Sequence, residues 1–185
     1  MSKKYPRTLH LPWSEGITKD DKVLKSTDCF YGKQVVVTEK MDGENTTFTS
    51  THYHRRSLDS NNHPSCNWCK NFWGKIAHNI PPSFRICGEN MFATHSIYYD
   101  NLLSYFLAFN IWHDYKCLSW KDTLEWMELI ELTSVPILYY GIYDEDRIKE
   151  LFIKHSFYNE FEGYVIRNIE SFHYDKFDKN VAKFV

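Results

Sequence analysis

No stretch of this 185-residue sequence approaches the roughly 18 consecutive apolar residues that a membrane span needs. The opening Met1-Ser2-Lys3-Lys4-Tyr5-Pro6 lacks the apolar core of a secretory leader. Charge of one sign is also missing: 22 basic residues stand against 24 acidic ones, a formal net charge of -2, so a polyanion could not be held by overall field and would need a local basic face. The five cysteines, Cys29, Cys66, Cys69, Cys87 and Cys117, form no even set, which fits a reducing, cytoplasmic setting better than a disulfide framework. Cys66-Asn67-Trp68-Cys69 has no second C-x-x-C and no spaced histidine pair to complete a structural zinc site. Glycine-rich phosphate loops, internal repeats, low-complexity tracts and obvious linkers are absent too, which speaks against a P-loop or Rossmann nucleotide site.

What is present is a 43% hydrophobic, 17% aromatic composition, enough for one sizeable core. The β-branched run Gln34 to Thr38 and the Thr-rich Asn45 to Thr51 read as strands, with Lys40-Met41-Asp42-Gly43 linking them. Trp68, Phe72, Trp73, Ile76 and Ile80 recur at helical spacing before Pro81-Pro82. Phe84 to Cys87 and Tyr105 to Trp112 read as core strands, Ser119 with Asp122 as a capping box opening a helix through Glu131, Val135 to Tyr140 as a strand, and Asp144 to Lys154 as a helix. Gly163 to Arg167 and the end at Val181 to Val185 return to strand character. Strands and helices therefore interleave without a βαβ rhythm, and an α+β domain with antiparallel sheets is expected. Phosphate binding would then fall to discrete Lys and Arg side chains.

Lys40 is the residue with the clearest chemistry. A lysine amine with an ordinary pKa near 10 is protonated at neutral pH, so an attacking lysine needs surroundings that favour the free base. Read alone, the tetrapeptide is equally a solvated Lys before an Asp-Gly turn. In order along the chain, however, stand Lys40-x-Asp42-Gly43, Arg56, Gly88-Glu89-Asn90, Phe109-Asn110-Ile111, Glu162-Gly163-Tyr164-Val165-Ile166-Arg167 and Lys183. This series, from about Lys22 to the last residue, resembles the ATP-dependent RNA ligases of the covalent nucleotidyltransferase superfamily.

The resemblance implies a nucleotidyltransferase, ATP-grasp-like ligase domain, with antiparallel sheets flanked by helices, over residues 1–185 and without an appended C-terminal domain. It makes Lys40 the nucleophile that takes AMP from ATP, with Mg2+ or Mn2+ held through Glu162. Glu39, Asn45, Arg56, Glu89, Phe109 and Lys183 become nucleotide-binding residues: Arg56 on phosphate and ribose, Glu89 on the ribose hydroxyls, Phe109 stacked on adenine, Lys183 on the α-phosphate. Asn45 separates RNA ligases from DNA ligases and capping guanylyltransferases, which usually carry Arg there. Asn110 stands where the family commonly has Asp, and Val185 where many relatives have a second Lys. The implied partner is RNA with 5′-phosphate and 3′-OH ends, with no membrane and no obligate protein partner. Capping-type guanylyltransferase, DNA ligase and a noncatalytic RNA-binding module are the alternatives. Without a further segment beyond Val185, self-adenylylation is expected to outpace strand joining.

Overall fold

The structure, a computed structural model, describes residues 4–55, 64–154 and 161–185. Its strands in chain order are β1 (Leu9–His10), β2 (Gln34–Glu39), β3 (Glu44–Phe48), β4 (Tyr53–Arg55), β5 (Phe84–Asn90), β6 (Phe106–His113), β7 (Lys116–Cys117), β8 (Thr133–Ser134), β9 (Ile137–Ile142), β10 (Tyr164–Asn168), β11 (Phe172–His173) and β12 (Val181–Phe184). The helices are α1 (Asn67–Ile76), α2 (Trp120–Leu129), α3 (Glu145–Lys149) and α4 (Leu151–Lys154). Among the described residues no helix is long and apolar enough to cross a membrane.

The strands form two sheets, one ordered β1-β12-β10-β2-β9, the other β11-β7-β6-β5-β3-β4 with β8 beside β6. Pairing is antiparallel, as expected, except for the parallel pairs β1·β12 and β6·β8. Period-2 alternation splits each strand between two environments. In the first sheet Val35, Val37, Tyr164, Ile166, Ala182 and Phe184 form a core with Ile148 and Leu151 of α3 and α4. Their alternates, Val36, Thr38, Val165, Arg167, Val181 and Lys183, face a pocket on the opposite side. In the second sheet Phe48, Ile86, Phe106, Ala108 and Ile111 pack against Cys69 and Ile76 of α1 and Met127 of α2. The helices thus cover the outer faces, and the pocket lies between the inner ones.

Several elements have other bounds than the sequence pattern suggests. The Thr-rich strand stops at Phe48 because Thr49 turns the chain: its N–H donates to the His52 carbonyl (2.9 Å) and its hydroxyl accepts from the His52 N–H (2.8 Å). The Val135 strand begins instead at Ile137, after Pro136, which has no N–H for a ladder. Ser119 caps α2 as expected, its Oγ accepting from the Asp122 N–H at 3.1 Å, but the helix ends at Leu129 and Glu131 takes a positive φ of 58°. The expected 144–154 helix is two short ones, α3 and α4, parted at Glu150.

Candidate active site

β2 lies between β9 and β10 in its sheet, and its last residues are fixed on both sides. The Glu39 N–H donates to the Pro136 carbonyl (2.8 Å) and the Lys40 N–H to the Gly163 carbonyl (2.9 Å). The second contact brings the residue before Gly163 to the nucleophile motif: Lys40 Nζ lies 2.5 Å from Glu162 Oε1, across 122 positions of sequence. Gly163 is required for this approach, since a Cβ there would meet the Phe184 carbonyl oxygen at 2.1 Å.

Met41 is buried with Met91, Leu107 and Val135, anchoring the loop that crosses to the second sheet. Asp42 Oδ2 accepts from the N–H groups of Ser96 (2.7 Å) and Ile97 (3.0 Å), and its own N–H donates to the Tyr99 hydroxyl (2.9 Å). At Gly43 a Cβ would strike Met91 Sδ at 2.5 Å and the Asn90 carbonyl at 2.8 Å, so only glycine lets the chain enter β3. The Asp-Gly pair is thus a sheet-to-sheet crossing, not a solvated turn.

On the second sheet Asn45 pairs in register with Glu89, and Glu89 with Leu107. The β5–β6 ladder then slips: Gly88 pairs with Ala108 but Cys87 with Asn110, leaving Phe109 as the extra residue of a bulge. The bulge reverses the alternation, so that Phe109 and Asn110, neighbours in sequence, both line the pocket. Phe109 is half-buried there, its ring met edge-on by Tyr5 at 5.3 Å. Lys183 reaches the same space from β12, opposite Val165.

The pocket, about 630 Å³ with its open mouth included, therefore gathers Glu39, Lys40, Asn45, Glu89, Phe109 and Lys183 from five strands and the loop after β2. Glu162 joins through Lys40, while Arg56 lies outside the described residues. Its neighbour Arg55 is ion-paired with Glu44 at the start of β3.

Burial raises the Glu162 pKa, against the opposing pull of the Lys40 charge. The carboxyl is a stronger proton acceptor than an exposed glutamate. Its Oε2 is buried with no hydrogen-bond partner among the described residues, and so is Asn45 Oδ1. A free hard oxygen beside the nucleophile suits Mg2+ or Mn2+. No group of three or more His, Cys, Asp or Glu able to hold a metal occurs among the described residues.

Sequence reasoning missed the floor of the pocket. Arg167, 4% exposed, donates Nη1 to Asn110 Oδ1 (2.5 Å) and Nη2 to the Leu118 carbonyl, and lies over the Trp120 and Phe172 rings at 5.5 Å each. Asn110 Nδ2 in turn donates to the Tyr5 hydroxyl at 2.6 Å. An arginine in so apolar a strand was a usable signal. Tyr5 carried none.

A lysine with a half-buried carboxylate at its amine thus stands at the edge of a pocket between two largely antiparallel sheets. The chain belongs to the RNA ligase family, whose model matches residues 33–185. No curated protein matches the chain at a significant level. Among solved structures it is similar to an archaeal ATP-dependent RNA ligase (16% identity, TM-score 0.65, covering 100% of this chain and 48% of that one). It is also similar to a Naegleria gruberi RNA ligase mutant with ATP and Mn (15%, 0.57, 86% and 51%). A third likeness is to a putative ATP-dependent DNA ligase from Aquifex aeolicus (21%, 0.57, 83% and 44%). At these identities the likeness shows the fold, and the chain spans about half the length of those proteins.

Proposed function

We propose that this chain carries the covalent nucleotidyl-transfer chemistry of an ATP-dependent RNA ligase. The contact between Lys40 Nζ and Glu162 at the edge of the pocket carries the reading, because it sets an amine beside a proton-accepting carboxylate. Lys40 must lose a proton to attack, and Glu162, its pKa raised by burial, is the group positioned to take it. The neutral amine then forms an N–P bond to the α-phosphate of ATP while the P–O bond to pyrophosphate breaks. Lys183 compensates the charge of the α-phosphate, Phe109 stacks on adenine, and Glu39, Asn45, Glu89 and Arg56 complete the nucleotide contacts. Glu162 and substrate phosphates would hold Mg2+ or Mn2+, which when bound supplies charge compensation on the phosphates. AMP then passes to an RNA 5′-phosphate, and attack by a 3′-OH seals the strand and releases AMP.

The test is incubation with magnesium and either ATP or GTP, followed by intact mass and peptide mapping. An AMP adduct on Lys40, absent in Lys40→Ala and Lys40→Arg, is the expected result. A GMP adduct favours the capping-type reading, and no adduct with either nucleotide refutes lysine chemistry. Joining of 5′-phosphorylated RNA in the same mixture tests the later steps.

A further inference from the structure

A second concavity is bounded by Asp42, of the Lys40 loop, and the 91–105 segment. The segment is hung on Asp42 by the three hydrogen bonds already described, so this groove and the nucleophile share one loop. Its rim exposes large apolar side chains: Phe92 is 44% exposed, Tyr98 68%, Leu103 76% and Tyr105 45%. Four such residues within 14 positions have a cost in water that core packing does not explain.

The rings are also ordered among themselves. Phe72 and Trp68 of α1 stack at 5.1 Å and 13°, and Phe92 lies parallel to Trp68 at 6.2 Å and 8°. Tyr105 buttresses the set edge-on, meeting Trp68 at 5.3 Å and 79° and Phe92 at 5.5 Å and 83°. The outcome is a rigid ladder of near-parallel aromatic planes whose outermost member is in solvent. Between Phe92 and Tyr105 the sequence has no Lys or Arg, so this segment itself offers π-faces.

We infer that this groove docks an unpaired base at the end of the RNA strand being joined, stacked on the Phe92 ladder beside the adenylylated lysine. Flat exposed rings suit the face of a base, and a base offers its face only when it is unstacked from a helix. The groove begins at Asp42, two residues from Lys40, which is where a strand end must arrive if the proposed function holds; the inference rests on that reading. A protein partner is the competing occupant, and the test distinguishes it.

The probe is a single-stranded RNA with 2-aminopurine at its 3′-terminal nucleotide, titrated into the protein and read by fluorescence, with self-adenylylation by ATP measured in parallel. The wild-type protein should quench the probe. Phe92→Ala and the pair Phe92→Ala, Tyr98→Ala should lose the quench and weaken binding roughly 5- to 150-fold, the loss expected for one stacked base. Phe92→Trp should restore both, and self-adenylylation should stay at the wild-type level throughout. No quench by the wild type, or equal quench and affinity in Phe92→Ala, overturns the inference and leaves a protein partner as the occupant. Loss of adenylylation together with binding in Phe92→Ala also overturns it, since the ring would then act only by holding the Asp42 loop. If no variant and no wild type self-adenylylates but the quench follows Phe92, the proposed function fails while base docking stands.

Discussion

Replacing Asn110 by Ala should destabilise the protein more than any single exposed site. Asn110 and Arg167 are 2% and 4% exposed, and the amide both accepts from the guanidinium and donates to the Tyr5 hydroxyl. Losing a hydrogen bond to a charged group costs about 1.5–3 kcal/mol and a neutral one about 0.5–1.5, which places the sum near ~3 kcal/mol. For a chain of this length that lowers Tm by roughly 6–12 °C, at roughly 2–4 °C per kcal/mol. Asn110→Asp should behave differently. A carboxylate still accepts from Arg167, and the Tyr5 hydroxyl can turn to donate to it, so stability should stay within about 1 kcal/mol of wild type. Thermal and urea unfolding of the two variants gives both values. An Ala variant within about 1 kcal/mol of wild type, or an Asp variant less stable than the Ala variant, would refute the claim that Asn110 exists to satisfy a buried arginine.

The remaining expectations concern the pocket and its surroundings. Glu162→Ala should abolish most adenylylation at millimolar magnesium while changing neutral-pH stability by less than about 1 kcal/mol, since the Lys40–Glu162 pair is partly exposed and screened; equal losses of both would make Glu162 structural. Lys40→Ala removes a charge that lowers the Glu162 pKa, so the carboxyl should titrate higher still by NMR, and an unmoved titration would contradict the pairing. Phe109→Leu and Phe109→Ala should weaken ATP binding alike if the ring stacks on adenine, whereas retention of affinity in Phe109→Leu with a stability loss only in Phe109→Ala assigns the ring to packing. His10 is 2% exposed, and its pKa is lowered by burial and then by Lys183 across the β1–β12 pair. A depressed histidine contributes stability above the ordinary value of 6.5 that is lost as pH falls through its folded pKa, so His10→Gln should flatten that acid-side loss in urea titrations.

The strands that carry the site were legible because their apolar residues alternate or run continuously, and the Lys40, Glu89, Phe109, Glu162 and Lys183 positions fall at their ends or on their inner faces. What was not legible depends on contacts between distant residues. The bulge at Phe109 is invisible in Tyr105 to Trp112, whose aromatic and aliphatic residues read as one continuous strand; it follows from how β5 and β6 register. Phe109 read from pattern alone belongs to a uniform core strand, yet the bulge turns it inward. Tyr5 lies 105 positions from Asn110, and no periodicity links the two. Thr51 looked like strand because Thr favours sheets, but Thr49 closes a turn with its own hydroxyl, a local competition that propensity does not record.

Charge around the pocket explains why the carboxylates are kept despite the substrate's own negative charge. Glu39, Glu89 and Glu162 face Lys40, Lys183 and Arg167, so the site is near neutral before a nucleotide enters. Arg167 is already committed to Asn110 and the Leu118 carbonyl on the pocket floor. Lys40 and Lys183 are the lysines of the described lining, and on the proposed reading Lys40 must become neutral to attack. On the proposed reading, a divalent cation at the Glu162 oxygen would add positive charge beside the phosphates.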